Sequence, residues 1–236
     1  MNSLLDYISD TDAYRQIVRR IADGWPQQSV CGISGTQKAY LLAALSRSLS
    51  GRPMVVVTYS QYEADRLFER LSCFTDESAI GVFPAYDILP HHELLRSLDV
   101  AADRMTVIRA AMAGALPITV IPAKALVSKI LDKRDLLSAS LLVRVGDVFE
   151  HEQIASRLVY LGYRRSDVVE NKGEFCVRGG IVDVFPIADE EPIRIEFFDD
   201  EVESIRRFDP ETQRSEGQIN EVFLYPASEF VYQRDE

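Results

Sequence analysis

In the first half of the chain, short apolar runs alternate with segments of helical spacing. Ser29-Val30-Cys31-Gly32-Ile33 reads as a short buried strand, followed by a Gly-Ser loop and a helix from about Lys38 to Leu49. Gly51-Arg52-Pro53 breaks that helix. Met54 to Thr58 is a second apolar run, and Tyr62 to Cys73 returns to helical spacing through Ala64, Leu67, Phe68 and Leu71. Ala79 to Phe83 gives a third strand. After a Pro-bounded stretch, Val100 to Ala113 reads as a helix and Ile118 to Ile121 as a fourth strand. Continuous apolar strands between helices predict a parallel α/β sheet covered on both faces.

From about Leu141 the period changes. A helix around Gln153 to Tyr160 ends at Gly162, and four strands follow: Phe175 to Arg178, Ile181 to Phe185, Ile193 to Phe198 and Glu203 to Phe208. Turn signals separate them at Gly179-Gly180, Asp189-Glu190-Glu191-Pro192 and Asp199-Asp200. This pattern predicts an antiparallel sheet with a helix on one face, an α+β domain at about 128–214 after an α/β domain at 1–127. Val222-Phe223-Leu224-Tyr225-Pro226 begins a further strand within 215–236.

Composition narrows the function. At 236 residues and 47% hydrophobic content, the chain can bury one large core or two smaller ones. A net charge of -11 argues against a surface built wholly for nucleic acid, because phosphate binding needs clustered Lys and Arg. Cys31, Cys73 and Cys176 have no Cys-x-x-Cys spacing and read as reduced thiols. Met1-Asn2-Ser3-Leu4-Leu5-Asp6 lacks the basic and apolar regions of a signal peptide, and no apolar run is long enough to span a bilayer. A cytoplasmic protein without a membrane partner is the expectation.

The motifs that resemble catalytic sites are incomplete. Gly32-Ile33-Ser34-Gly35-Thr36-Gln37-Lys38-Ala39 lies between a strand and a helix, where a phosphate loop would be. Gly32 and Lys38 fit G-x-x-x-x-G-K-[ST], but Gln37 replaces the second glycine and Ala39 the magnesium-binding hydroxyl. No strand ends in an acidic pair suited to hold the metal. This predicts a strand-to-helix turn without nucleotide. In His91-His92-Glu93-Leu94-Leu95-Arg96, Arg96 occupies the position where a zinc-protease pattern needs its second histidine. Neither metal nor cofactor is expected.

Strand alternation in the second domain is more informative. Ile193, Ile195 and Phe197 point to the core, so Arg194 and Glu196 share the opposite face; Phe175 and Val177 go inward and Arg178 outward. Tyr163-Arg164-Arg165 brings further guanidinium groups to the start of these strands. This face is either an ordinary solvated one, with ion pairs worth at most about 1 kcal/mol each, or a docking surface in which planar guanidinium groups meet a partner's carboxylates.

Gly173-Glu174-Phe175-Cys176-Val177-Arg178-Gly179-Gly180-Ile181-Val182-Asp183-Val184-Phe185-Pro186, with the segments Ile193 to Glu203 and Phe208-Asp209-Pro210, resembles the module shared by the excinuclease protein UvrB and the transcription-repair coupling factors. Phe83-Pro84-Ala85-Tyr86-Asp87, Leu89-Pro90 and Arg104 resemble the coupling-factor version of the first domain. UvrB has an intact phosphate loop and a Tyr-rich hairpin. Here the loop is broken and Ile88 to Asp103 is short and poor in aromatics, as in the coupling factors.

The resemblance implies a degenerate helicase-like parallel sheet domain with an inserted α+β domain, and residues 215–236 starting a return to the first domain. It implies a non-catalytic module that recruits the excinuclease protein UvrA to stalled transcription complexes in nucleotide excision repair. The longer parent would be an ATP-dependent DNA translocase, meeting RNA polymerase and DNA through other domains, with a carboxy-terminal domain covering the docking face at rest. Carried over by position, the partner-binding residues are Arg165, Arg178, Arg194 and Glu196; Cys176 stands where the family has another arginine. The competing reading is an ATP-binding fragment of a UvrB-like helicase acting through Lys38.

Overall fold

The structure, a computed structural model, describes residues 2–86, 98–149 and 151–228. The His91-His92-Glu93 segment, Asp87, Leu89 and Pro90 lie outside these residues. The chain divides into two units, Met1–Ala85 with Ala110–Ser128, and Tyr86–Arg109 with Lys129–Glu236.

The first unit begins with α1 (Asn2–Ser9), α2 (Asp12–Ala22) and α3 (Thr36–Ser48). It continues through β1 (Met54–Thr58), α4 (Gln61–Leu71) and β2 (Ile80–Val82). The helix α5 (Leu98–Met112) has its last residues in this unit, followed by β3 (Ile118–Pro122) and α6 (Ala123–Leu126). Hydroxyl caps set two of the starts: Thr11 accepts from the Tyr14 N–H and Ser60 from the Glu63 N–H. The strands form a parallel sheet in the order β1-β3-β2, with Ile118 and Val120 of the central strand fully buried. Ala39, Ala43, Ala44 and Ala64 are also buried and join these strands in one core.

Two expectations are corrected here. Ser29 to Ile33 is not a strand: Val30 and Cys31 are exposed, and the segment joins no ladder among the described residues. An extended segment without a hydrogen-bonded neighbour gains nothing from strand geometry, whatever its apolar content. Nor is the sheet covered on both faces, since Val55 and Val57 alternate outward from β1 and are exposed.

The second unit contains α7 (Lys133–Ala139), β4 (Leu141–Arg144), α8 (His151–Tyr160) and β5 (Arg164–Arg165). Next come β6 (Glu174–Arg178), β7 (Ile181–Val184), β8 (Ile193–Phe198), β9 (Glu201–Phe208), β10 (Ser215–Ile219) and β11 (Glu221–Leu224). Six strands form one sheet in the order β10-β9-β8-β7-β6-β5, antiparallel except for the β5–β6 pair. Gly179, at φ 57°, supplies the left-handed residue of the two-residue turn between β6 and β7. β11 pairs with β4. Residues 215–224, expected to begin a return to the first domain, therefore pair within the second unit.

The inner face of this sheet is continuous. Phe175, Val184 and Ile193 are in register across three strands, as are Val177, Val182, Ile195 and Ile205 across four. Ile154 and Leu158, one helical turn apart on α8, complete the same core with Val143, Val222 and Leu224. Leu158→Ala is expected to lower the unfolding free energy of this unit by about 3 kcal/mol, the usual cost of a cavity at a fully buried leucine. Urea titration followed by far-UV circular dichroism checks this; a loss below about 1 kcal/mol would mean that α8 is not part of the core.

Candidate protein-docking face

The strand pairing that buries one face of the second sheet fixes what stands on the other. Cys176, Asp183, Arg194 and Arg206 form one cross-strand row, and Arg178, Ile181, Glu196 and Ser204 the next. Arg178, Arg194 and Glu196 are therefore brought together as expected. Arg165 is not in these rows. It is exposed on the edge strand β5 in register with Phe175, a core residue, whereas Arg164 is in register with Glu174 on the outer face.

The outer face is not uniformly solvated. Val169, Cys176, Phe185 and Phe208 make a small buried cluster on it, and the Cys176 thiol donates to the Asp167 carbonyl at 3.2 Å. The thiol is thus enclosed, unlike those of Cys31 and Cys73, which are exposed. Beside this cluster, the Asp183 carboxylate is only 1% exposed and accepts four-atom, fork-to-fork bonding from Arg194. Nε donates to Oδ1 at 2.7 Å and Nη2 to Oδ2 at 2.9 Å. Arg178 Nη2 donates to the same Oδ2 at 3.2 Å. The hydrogen-bonded Asp183 carboxylate pushes the Arg194 pKa up, against the opposing effect of burial.

Arg194 is largely occupied within the chain. Its Nη1 donates to the Gln213 carbonyl at 3.3 Å, its guanidinium carbon lies 4.8 Å from the centre of the Phe208 ring, and its side chain is 16% exposed. The Arg178 side chain is 52% exposed. Glu196 accepts from the buried Ser204 hydroxyl and lies 3.6 Å from Arg206. With Val168, Ile181 and Gln213, the two arginines and Asp183 line a concavity of about 390 Å³.

At the sheet edge, Glu174 is paired with Arg164 and also accepts from the Glu170 and Asn171 N–H groups at 3.1 and 3.0 Å. Burial alone would push the Glu174 carboxyl up. The hydrogen bonds from Arg164, Glu170 and Asn171 outweigh it and hold the pKa below the usual glutamate range.

Asp183 and Arg206 were not singled out from the sequence. The alternation of Ile181-Val182-Asp183-Val184 carried the signal for Asp183, since Val182 and Val184 go inward. A bulge that leaves Glu203 without a register partner obscures the parity of Arg206.

In the first unit, Gln37, Lys38 and Ala39 begin α3. The Gln37 side-chain oxygen accepts from the Ser34 N–H at 3.1 Å, so an amide from the loop itself takes a donor that a phosphate loop would present to its ligand. Lys38 and Gly32 are exposed, and Ala39 is fully buried. Among the described residues, no group of three or more His, Cys, Asp or Glu is placed to hold a metal ion, and no helix is long and apolar enough to cross a membrane.

Residues 141–230, which include all of β4 to β11, match the family described as UvrB interaction domain. This segment is similar to the UvrB interaction domain. Over all 236 residues it is also 31% identical to a transcription-repair-coupling factor of Bacillus subtilis (strain 168). It is 34% identical over 202 residues, 86% of this chain, to factors of the same name from Staphylococcus aureus strains bovine RF122 / ET3-1 and MRSA252. It spans 20% of the length of the Bacillus factor and 17% of the Staphylococcus factors. The likeness is to the N-terminal region of these proteins.

The β5–β6 edge of the second sheet should respond to acid through Glu174. Its depressed pKa means that its carboxylate stabilises the fold fully above the unfolded value of about 4.3, and that this contribution is lost as pH falls through the lower folded value. Glu174→Gln is expected to be less stable at neutral pH and to lose less stability between about pH 5 and pH 3. Urea unfolding at stepped pH measures both; parallel acid limbs would show that Glu174 does not carry this dependence.

Proposed function

We propose that this chain is the part of a transcription-repair coupling factor that recruits the excinuclease protein UvrA to stalled transcription complexes in nucleotide excision repair, without catalysis of its own. The observation that carries the reading is a coincidence of place. The segment matching the UvrB interaction domain is the one whose sheet gathers Arg178, Arg194, Arg206 and Glu196 on a single outer face. Guanidinium groups fixed on a rigid sheet suit a partner surface that bears carboxylates, because the planar fork meets a carboxylate with two parallel bonds.

In this reading Arg178 makes the principal outward contact, Glu196 offers an acceptor beside it, and Arg165 adds a contact from the exposed edge strand β5, outside the outer-face rows. Arg194 contributes mainly through its internal bonds. The first unit is a degenerate, helicase-like domain in which Gln37 closes the former phosphate loop, and the second unit, within which residues 215–224 also pair, is the inserted partner-binding domain. The longer cytoplasmic parent would move on DNA and contact RNA polymerase through regions beyond this chain. An ATP-binding fragment of a UvrB-like helicase has only Gly32 and Lys38 in its favour, and neither Gln37 nor Ala39 supplies what magnesium-nucleotide needs.

Capture of purified UvrA on the immobilised chain tests the proposal. Arg178→Ala is expected to weaken binding by about 2 kcal/mol, roughly thirtyfold, as for a desolvated arginine at an interface centre. Because Arg178 is half-exposed, its thermal unfolding midpoint should stay close to that of the parent chain. Unaltered affinity in the Arg165→Ala/Arg178→Ala double variant would remove this face from consideration.

A further inference from the structure

We infer that Asp183, whose side chain is only 1% exposed, is the positioning residue of the docking face: it holds Arg178 ready to receive a carboxylate-bearing side chain of the partner. The inference rests on the docking function proposed above.

Burial leaves Asp183 only its neighbours to interact with. At 1% exposure its charge has to be answered inside the chain, and Arg194 answers it with both ends of its fork. Arg194 is held in turn by the Gln213 carbonyl and by the Phe208 ring beneath it. These contacts leave Arg194 few donors for a partner. They also fix Asp183 Oδ2, which then receives Arg178 Nη2 at 3.2 Å.

Arg178 differs from Arg194 in what remains available. One of its N–H groups is engaged by Asp183, and half of its side chain stays open to solvent. An unrestrained arginine loses its rotamer freedom when a partner docks; one already tethered through a buried carboxylate has lost part of it on folding. Ile181 and Val168 border the same concavity, so its walls suit an acidic side chain whose methylene groups pack against them. Arg178 is thus a half-tethered guanidinium whose counter-charge is withheld from the partner by burial.

Binding and side-chain mobility, both measured on the full chain, decide the matter. Asp183→Asn is expected to weaken binding of UvrA roughly fivefold, but by less than about twofold when introduced into Arg178→Ala. That lack of additivity distinguishes positioning from a general loss of stability, which would weaken both backgrounds alike. Equal weakening in both, or none in either, overturns the inference. The parent chain alone gives a second measurement that does not depend on the variant folding. The Nε–Hε heteronuclear NOE of Arg178 should report a restrained side chain beside a mobile Arg165; equal mobility also overturns the inference. A restrained Arg178 whose removal leaves binding intact would instead refute the docking function, and the positioning role with it.

Discussion

A carboxylate withdrawn from water on the solvent side of a β-sheet has to be balanced by fixed donors, and the outer face of the second unit is arranged around that requirement. Asp183 is placed there by strand parity, opposite Arg194 on one side and Cys176 on the other. The fork of Arg194 balances the charge, Phe208 supports the fork, and the buried cluster of Val169, Cys176, Phe185 and Phe208 shields them. Such a pair is weak evidence for stability, because desolvation offsets much of the attraction. Its consequence is geometric: the guanidinium groups have defined positions where an ordinary solvated face would leave them free.

The division of labour between the two faces follows from the pleat. Each strand sends alternate residues to a core built with α8 and the others to the outer face, so a one-residue slip would bury arginines and expose isoleucines. The core therefore enforces the register that assembles the outer face. Among its described residues the first unit has no comparable arrangement. In the loop before α3 the Gln37 side-chain oxygen accepts from the Ser34 N–H, and the sheet leaves Val55 and Val57 exposed.

Much of this was legible in the sequence where one physical signal dominated. Met54–Thr58 and Ile193–Phe198 were read with the bounds they have, because continuous apolar runs and strict alternation are unambiguous over that length. Arg178, Arg194 and Glu196 fell on one face by the same parity. Ser29 to Ile33 was misread because apolar content alone says nothing about whether a neighbouring strand exists to pair with. The internal engagement of Arg194 was not legible, since it depends on the turn carrying Gln213 and on Phe208 meeting it in space. Arg165 was carried over by resemblance, and its register with Phe175 emerges only from the β5–β6 pairing.

The central claim is that the outer face of the second sheet is where the partner docks. Methyl NMR of the chain, titrated with UvrA, addresses it most directly. The account predicts that the methyl resonances of Ile181 and Val168, which border the concavity, shift or broaden on titration while those of Val55 and Val57 keep their positions. Perturbation confined to Val55 and Val57, or no perturbation at Ile181 and Val168 under saturating partner, would contradict it.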